Sequence, residues 1–253
     1  MTPNRMKEKI ARGEPALGVS VMFPSPQLVE MLGYAGFDWV LLDCEHGSIG
    51  LADLEHMAMA AASAGITPIA RPRSNTAPDI QLVMDRGVMG VQIPHVNSAE
   101  DARRAVAAVK FGPGAQRGLA AGTRPDRWGL GVKMADFTTA ANAQSLVCVQ
   151  IEHEAAVRNI DAILKVDDID VFFIGPSDLS QSMGYPGNAK APPVSSAIQG
   201  TLSAIRAADK VSGMPATSEN VAEVIAGGCR YIYTHVPRLI GAGAGEFLGA
   251  ARG

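Results

Sequence analysis

Aromatic side chains are scarce in this chain, at 5% of residues, and only 19% of residues are charged. No apolar run approaches the ~20 residues a membrane helix needs, so no membrane partner is expected. Lys and Arg gather into no basic patch and the net charge is -3, which argues against nucleic acid as a partner. The three cysteines, Cys44, Cys148 and Cys229, lie far apart and form no C-x-x-C pair. A disulfide framework and a zinc knuckle are thereby set aside, and cytoplasm is the expected compartment. G-x-G-x-x-G does not follow the first strand and G-x-x-x-x-G-K-[ST] occurs nowhere, so dinucleotide and P-loop readings lose their main support. The opening residues, MTPNRMKEKIARGEPALG, carry charge without a following apolar core and are not read as a signal peptide.

What is present is 253 residues of ordinary globular composition, 47% hydrophobic, long enough for a sizeable core. Short apolar runs rich in Val and Ile alternate with longer segments of helical period. Eight runs read as strands: 16–22, 37–43, 66–71, 88–94, 146–152, 171–175, 211–215 and 230–236. Helices are expected over 24–36, 51–65, 98–110, 154–166 and 218–228, with start signals at Ser98 before Asp101 and at Ser218 before Glu219 and Glu223. YAGFDWV, SAGITPI, DRGVMGV and GGCRYIY each place Gly just before a strand, where it suits a left-handed helix end. Alternation of this kind implies parallel strands, and eight of them favour an α/β fold closed as a (β/α)8 TIM barrel, one domain over 1–253. The Gly- and Arg-rich stretch 111–132 reads as a long functional or mobile loop, and 183–194 as a second Gly/Pro-rich loop.

In such barrels the chemistry lies at the C-terminal strand ends. Polar residues collect there. The second strand ends in Asp43 and leads to Glu45 and His46; the third ends in Arg71; the fourth leads to His95. The fifth carries Cys148, Gln150 and Glu152 on one face, and the sixth leads through Gly175, Pro176 and Ser177 to Asp178. Taken singly, a strand-end carboxylate more often caps the next helix, and Arg71 or His46 would pass as surface residues. Their convergence on one end outweighs those readings. His56, His153 and His235 are taken as structural, Cys148 and Cys229 as small core residues, and nothing activates Cys44.

Glu152 and Asp178 offer oxygen ligands only, which suits Mg2+ or Mn2+, with Co2+ as a further candidate, better than zinc. Such an ion chelates a 2-oxo acid and stabilises its enolate. Arg71 would neutralise the oxyanion, and His46, oriented by Asp43, would shuttle the proton. None of Lys7, Lys9, Lys110, Lys133, Lys165, Lys190 and Lys210 lies in a strand run or at its C-terminal end, so no Schiff-base lysine is expected. Neither pyridoxal phosphate nor NAD is an expected cofactor.

DWVLLDCEHG (38–47), IARP (69–72), VQIPHV (91–96), VQIE (149–152) and FFIGPSDLSQSMGYPGN (172–188) carry a resemblance across nearly the whole chain. The chain resembles the class II, metal-dependent pyruvate aldolases of the HpcH/HpaI family, of the 4-hydroxy-2-oxoheptanedioate and 2-dehydro-3-deoxyglucarate aldolase type. The resemblance implies a barrel of the phosphoenolpyruvate/pyruvate type with a swapped C-terminal helix, and a homo-oligomer, trimer or hexamer. It implies Glu152 and Asp178 as metal ligands and Arg71 as the group facing the pyruvate enolate. His46 with Asp43 would be the acid/base dyad. Gln150, Gly175 and Ser177 would line the pyruvate site, and Asp85 would reach a neighbouring subunit's site. The implied activity is reversible cleavage of a 4-hydroxy-2-oxo acid, from aromatic or sugar-acid breakdown, to pyruvate and an aldehyde. GTRPDRWG, SGMPATSEN and YTHVPRL depart from the family's usual pattern, in regions where the aldehyde would sit. Alternative readings are an oxaloacetate decarboxylase or condensing enzyme resembling macrophomate synthase, an acyl-CoA lyase, and a non-catalytic 2-oxo-acid-binding barrel.

Overall fold

The computed structural model describes residues 3–252. Eight parallel strands close into a barrel in sequential order. They are β1 (Ala16–Val21), β2 (Trp39–Asp43), β3 (Thr67–Arg71), β4 (Gly90–Ile93), β5 (Leu146–Ile151), β6 (Val171–Ile174), β7 (Ser212–Pro215) and β8 (Tyr231–His235). Each expected run holds one strand, with ends shifted by at most two residues. The strands read clearly because both faces are buried, so their sequences are nearly continuous apolar runs. All four strand-preceding glycines adopt positive φ: Gly36 at 95°, Gly65 at 73°, Gly87 at 92° and Gly228 at 98°.

Alternate residues along the strands build two separate cores. Val40, Leu42, Val91, Ile93, Val149 and Ile151 point outward into a layer shared with the surrounding helices. Trp39, Leu41, Ile69, Cys148, Phe173, Tyr231 and Tyr233 point inward and fill the barrel. Trp39 and Tyr231 stack with centroids 4.0 Å apart, and the Trp39 indole donates to the Ala16 carbonyl at 3.2 Å. The N-terminal helix Arg5–Ala11, which the sequence reading did not anticipate, closes the floor with Met6 and Ile10. Asn4 ties it down by donating to the carbonyls of Met89 at 3.1 Å and Gln144 at 3.0 Å.

Helices Pro26–Tyr34, Leu51–Ala64 and Ala99–Val109 fall where expected. Ser98 caps the last of these, accepting from the Asp101 amide at 3.1 Å. The segment 154–166 is broken at Asn159 into Glu154–Arg158 and Ile160–Ile163. The expected start at Ser218 is wrong by three residues. Asn220 accepts from the Thr217 amide at 2.7 Å, closing a turn, and the helix is Val221–Ala226. The last described helix is Val236–Arg252, the C-terminal helix that the resemblance implies; no local pattern announces it, because its glycines at 241, 243, 245 and 249 lower helix propensity. Among the described residues no helix is long and apolar enough to cross a membrane.

Two glycines separate close packing from idle space. A Cβ on Gly90 would lie 2.5 Å from the Leu146 carbonyl oxygen, whereas Gly200, in helix Pro192–Ala207, has nothing within 4 Å. Gly90→Ala is expected to destabilise by ~1–3 kcal/mol. Gly200→Ala is expected to stabilise by ~0.5–1 kcal/mol in the same urea titration.

Candidate active site

Strand alternation that fills the floor with rings brings charges to the opposite end. Asp43 and Arg71 are the last register pair of β2 and β3. Both are buried, and the guanidinium grips the carboxylate with two bonds: Nε donates to Oδ1 at 2.9 Å and Nη2 to Oδ2. Burial alone would lower the Arg71 pKa, but the Asp43 hydrogen bond and charge outweigh it and hold the group above its ordinary value. Arg71 is therefore a fixed cation.

Asp43 also organises the loop that follows it. Its Oδ1 accepts from the backbone amides of Glu45 at 3.0 Å and His46 at 3.2 Å. The structure thus joins Asp43 to His46 through the backbone, with the Asp43 carboxylate already held by Arg71. The His46 ring meets Glu45 instead, Nε2 to Oε2 at 3.7 Å. Gly47 permits the tight return: a Cβ there would lie 2.2 Å from the Asp43 carbonyl oxygen and 2.6 Å from that of Met22.

Glu45, which the sequence reading named without a role, is the hub of the mouth. Its Oε2 lies 3.2 Å from Arg71 Nε and its Oε1 lies 3.2 Å from His95 Nε2. Burial pushes its carboxyl above the ordinary value, and the Glu152 charge adds to this against the pull of Arg71 and the two histidines. His95 occupies the left-handed region, with φ 58°. That turn aims its amide at Glu152 Oε1, at 2.8 Å, while the ring Nδ1 stands 3.6 Å from the same oxygen.

Glu152 is buried just beyond β5. Its other oxygen, Oε2, accepts from Gln150 Nε2, and Gln150 Oε1 accepts from Gln92 Nε2. Gln92 stands inside an otherwise apolar run, which conceals it in the sequence. Its signal was the tripeptide Val-Gln-Ile, which stands in both β4 (91–93) and β5 (149–151). Gly175 lies against Glu152: a Cβ on it would come within 2.9 Å of Glu152 Cβ and 3.2 Å of Oε2. Ser177 and Asp178 sit exposed in the first turn of helix Pro176–Ser182. Among the described residues no three His, Cys, Asp or Glu side chains gather as a metal-holding group.

Other candidates fall elsewhere. Asp85 ends helix Ala77–Met84, which puts it at the N-terminal end of the barrel. There it faces buried Arg117, Oδ1 to Nη2 at 3.6 Å. The 111–132 stretch packs at that same end, with Arg124 donating to the Gly87 carbonyl at 3.4 Å, so within one chain it stands away from Glu152. Cys44 points outward into the helix layer, and burial pushes its thiol up to about 12. His153 caps a helix by accepting from the Ala155 amide at 3.1 Å. His56 is exposed, and burial lowers the pKa of His235.

The raised Glu45 pKa means the native chain binds this proton more tightly than the unfolded chain. The associated stability is present at low pH and is lost as pH rises through the native pKa. Glu45→Gln removes the buried charge. It is expected to melt above wild type near pH 8 and to lose that margin near pH 4 in thermal unfolding.

The HpcH/HpaI aldolase/citrate lyase family model matches residues 18–233. A 2-keto-3-deoxy-L-rhamnonate aldolase of Klebsiella pneumoniae is 36% identical over 239 residues, covering 94% of this chain and 88% of that one. The Escherichia coli K12 protein of the same name is 35% identical over the same share. Among solved structures, an HpcH/HpaI aldolase/citrate lyase family protein from Burkholderia cenocepacia superimposes with TM-score 0.93 at 26% identity, covering 99% of this chain and 100% of that one. The citrate synthase SbnG superimposes with TM-score 0.85 at 27% identity over 97% of this chain and 96% of that one. With more than half its length matched by the family model, this chain belongs to the HpcH/HpaI aldolase/citrate lyase family.

Proposed function

We propose that this chain is a metal-dependent carbon–carbon lyase that reversibly cleaves a 4-hydroxy-2-oxo acid to pyruvate and an aldehyde. The observation that carries the reading is the mouth of the barrel. A permanently charged Arg71, a buried Glu152 and the Glu45–His46–His95 group stand together there. Kinship with 2-keto-3-deoxy-L-rhamnonate aldolases supports it and makes 2-oxo-3-deoxy sugar acids the first substrates to test.

The residues fit a divalent cation. Each oxygen of Glu152 carries one protein donor and keeps lone-pair capacity open. Gly175 keeps the space beside Oε2 free of a side chain. Glu152 with Asp178 would hold a hard ion such as Mg2+, Mn2+ or Co2+, leaving positions for water and substrate. When bound, that ion supplies Lewis-acid polarisation of the 2-oxo acid. Arg71 commits Nε and Nη2 to Asp43, which leaves Nη1 for a substrate oxygen. His46, with Glu45 as its carboxylate neighbour, takes the proton from the 4-hydroxyl. The C3–C4 bond then breaks, its electrons pass into the 2-oxo group, and Arg71 faces the charge that develops. Gln150 has a second amide hydrogen to offer the substrate.

We further propose that the chain works as a homo-oligomer, trimer or hexamer, through exchange of helix Val236–Arg252. Only Val236 of that helix is buried, and Ile240 and Phe247 are exposed. At its base lies an open cavity of about 180 Å³, lined by Leu17, Phe37, Val221 and Ile232, which on this proposal would receive a helix from another copy. Asp85 and the 111–132 loop, at the far end of the barrel, would then complete a neighbour's mouth. Light scattering is expected to give a multiple of the chain mass.

The test of the activity is exchange of pyruvate methyl protons in deuterated water, followed by proton NMR with Mn2+ and with a chelator. Chelation and Glu152→Ala should each abolish exchange. Arg71→Lys should slow it by ~10²-fold or more. Exchange that survives both chelation and Glu152→Ala defeats the reading, as does borohydride trapping of a pyruvate adduct.

A further inference from the structure

Beneath the mouth, four polar side chains form a single file through the barrel interior. The Tyr231 hydroxyl donates to Gln92 Oε1 at 3.0 Å, Gln92 Nε2 donates to Gln150 Oε1, and Gln150 Nε2 donates to Glu152 Oε2. Tyr231, Gln92 and Gln150 are almost wholly buried, with 0%, 0% and 1% of their surfaces exposed. At the deep end, Tyr231 lies against the rings of Trp39 and Phe173.

Every direction in this file is forced from the Glu152 end. A carboxylate only accepts, so Gln150 must turn its NH2 toward it. The Gln150 oxygen then needs a donor, so Gln92 must present its own NH2. The Gln92 oxygen is left to accept, and it takes the Tyr231 hydroxyl, with the Tyr233 hydroxyl also within hydrogen-bonding reach of Gln92. An amide has two nearly isosteric orientations, and here the network selects one of them twice. With either amide reversed, two acceptors or two donors would face each other in a dry interior, where water cannot mediate.

We propose that Tyr231 and Gln92 are positioning residues. Neither touches substrate. Together they lock the Gln150 amide and, through it, the orientation of the Glu152 carboxylate toward a divalent cation. The inference rests on the reading of Glu152 as a metal ligand and goes beyond it, because it assigns work to two residues far below the mouth. Groups that orient a ligating side chain in this way commonly govern metal affinity by about 10–100-fold.

The test uses the full chain with Mn2+ as probe, its dissociation constant taken from the EPR signal of free Mn2+, beside the thermal midpoint of each variant. Gln92→Met removes both amide ends, and Tyr231→Phe removes only the hydroxyl. The double variant Tyr231→Phe/Gln92→Met also removes the hydroxyl that Gln92→Met strands. Gln92→Met should weaken Mn2+ binding by about tenfold or more, and Tyr231→Phe by less in the same direction. The double variant should recover thermal stability without recovering Mn2+ affinity. If affinity returns together with stability, the file is merely structural and the proposal falls. If Gln92→Met binds Mn2+ as wild type does while Glu152→Ala has lost binding, the metal reading stands and the positioning role is wrong. Unchanged binding in Glu152→Ala would overturn both.

Discussion

The arrangement of this mouth depends on the ion pair between Asp43 and Arg71. The two residues face each other as the last register pair of adjacent parallel strands, and the Asp43 side chain has no exposed surface. A carboxylate so buried is tolerable only when fully paired, and losing one partner of such a pair typically costs ~3–5 kcal/mol. The pair also fixes register. A slip of one residue would turn Asp43 into the helix layer and bring Cys44 inward. From this anchor the rest follows. Arg71 gains its permanent charge, and the amides of Glu45 and His46 are drawn onto Oδ1, which carries Glu45 over the mouth.

Below the pair, the barrel interior grades from apolar to polar along its axis. Rings and methyl groups fill the floor, amides occupy the middle layer, and charges stand at the rim. The order has a physical basis. A dry floor lowers the local dielectric and so strengthens the interactions above it. The amide layer satisfies the buried side of the rim charges and leaves their outer side for a ligand. His95 belongs to this logic despite its exposed ring. Its left-handed backbone is disfavoured for a residue with a side chain, and the structure holds that conformation where its amide meets Glu152.

The sequence made the barrel legible because buried parallel strands are written in Val and Ile and the helix-to-strand turns in Gly. The strand-end residues were legible for the same reason, since a polar residue at the end of an apolar run stands out. What stayed hidden was pairing. Asp43 and His46, three residues apart, suggested a dyad, yet the carboxylate's partner came from the neighbouring strand, 28 residues away. Gln92 was hidden by its apolar neighbours. The roles of Glu45 and His95 depend on loop conformations that residue type does not announce. The last helix was legible from the family resemblance and not from local pattern, because its glycines lower helix propensity.

On the proposed reading, the two halves of the reaction draw on different parts of the structure. Arg71, Gln150 and Glu152, the groups proposed to surround the 2-oxo acid, sit at or next to strand ends, where register places them. Of the three segments in which this chain departs from its family, 212–220 and 233–239 begin in β7 and β8 and run on past the ends of those strands, while 122–129 packs at the opposite end of the barrel. That end also exposes Trp128 and Leu130, and the terminal helix exposes Ile240 and Phe247. Large apolar side chains grouped on a surface mark a place that meets another surface. On the proposed reading that surface belongs to a second copy of the chain. Substrate choice at the aldehyde end is then a property of the assembly, while enolate chemistry is a property of the single barrel.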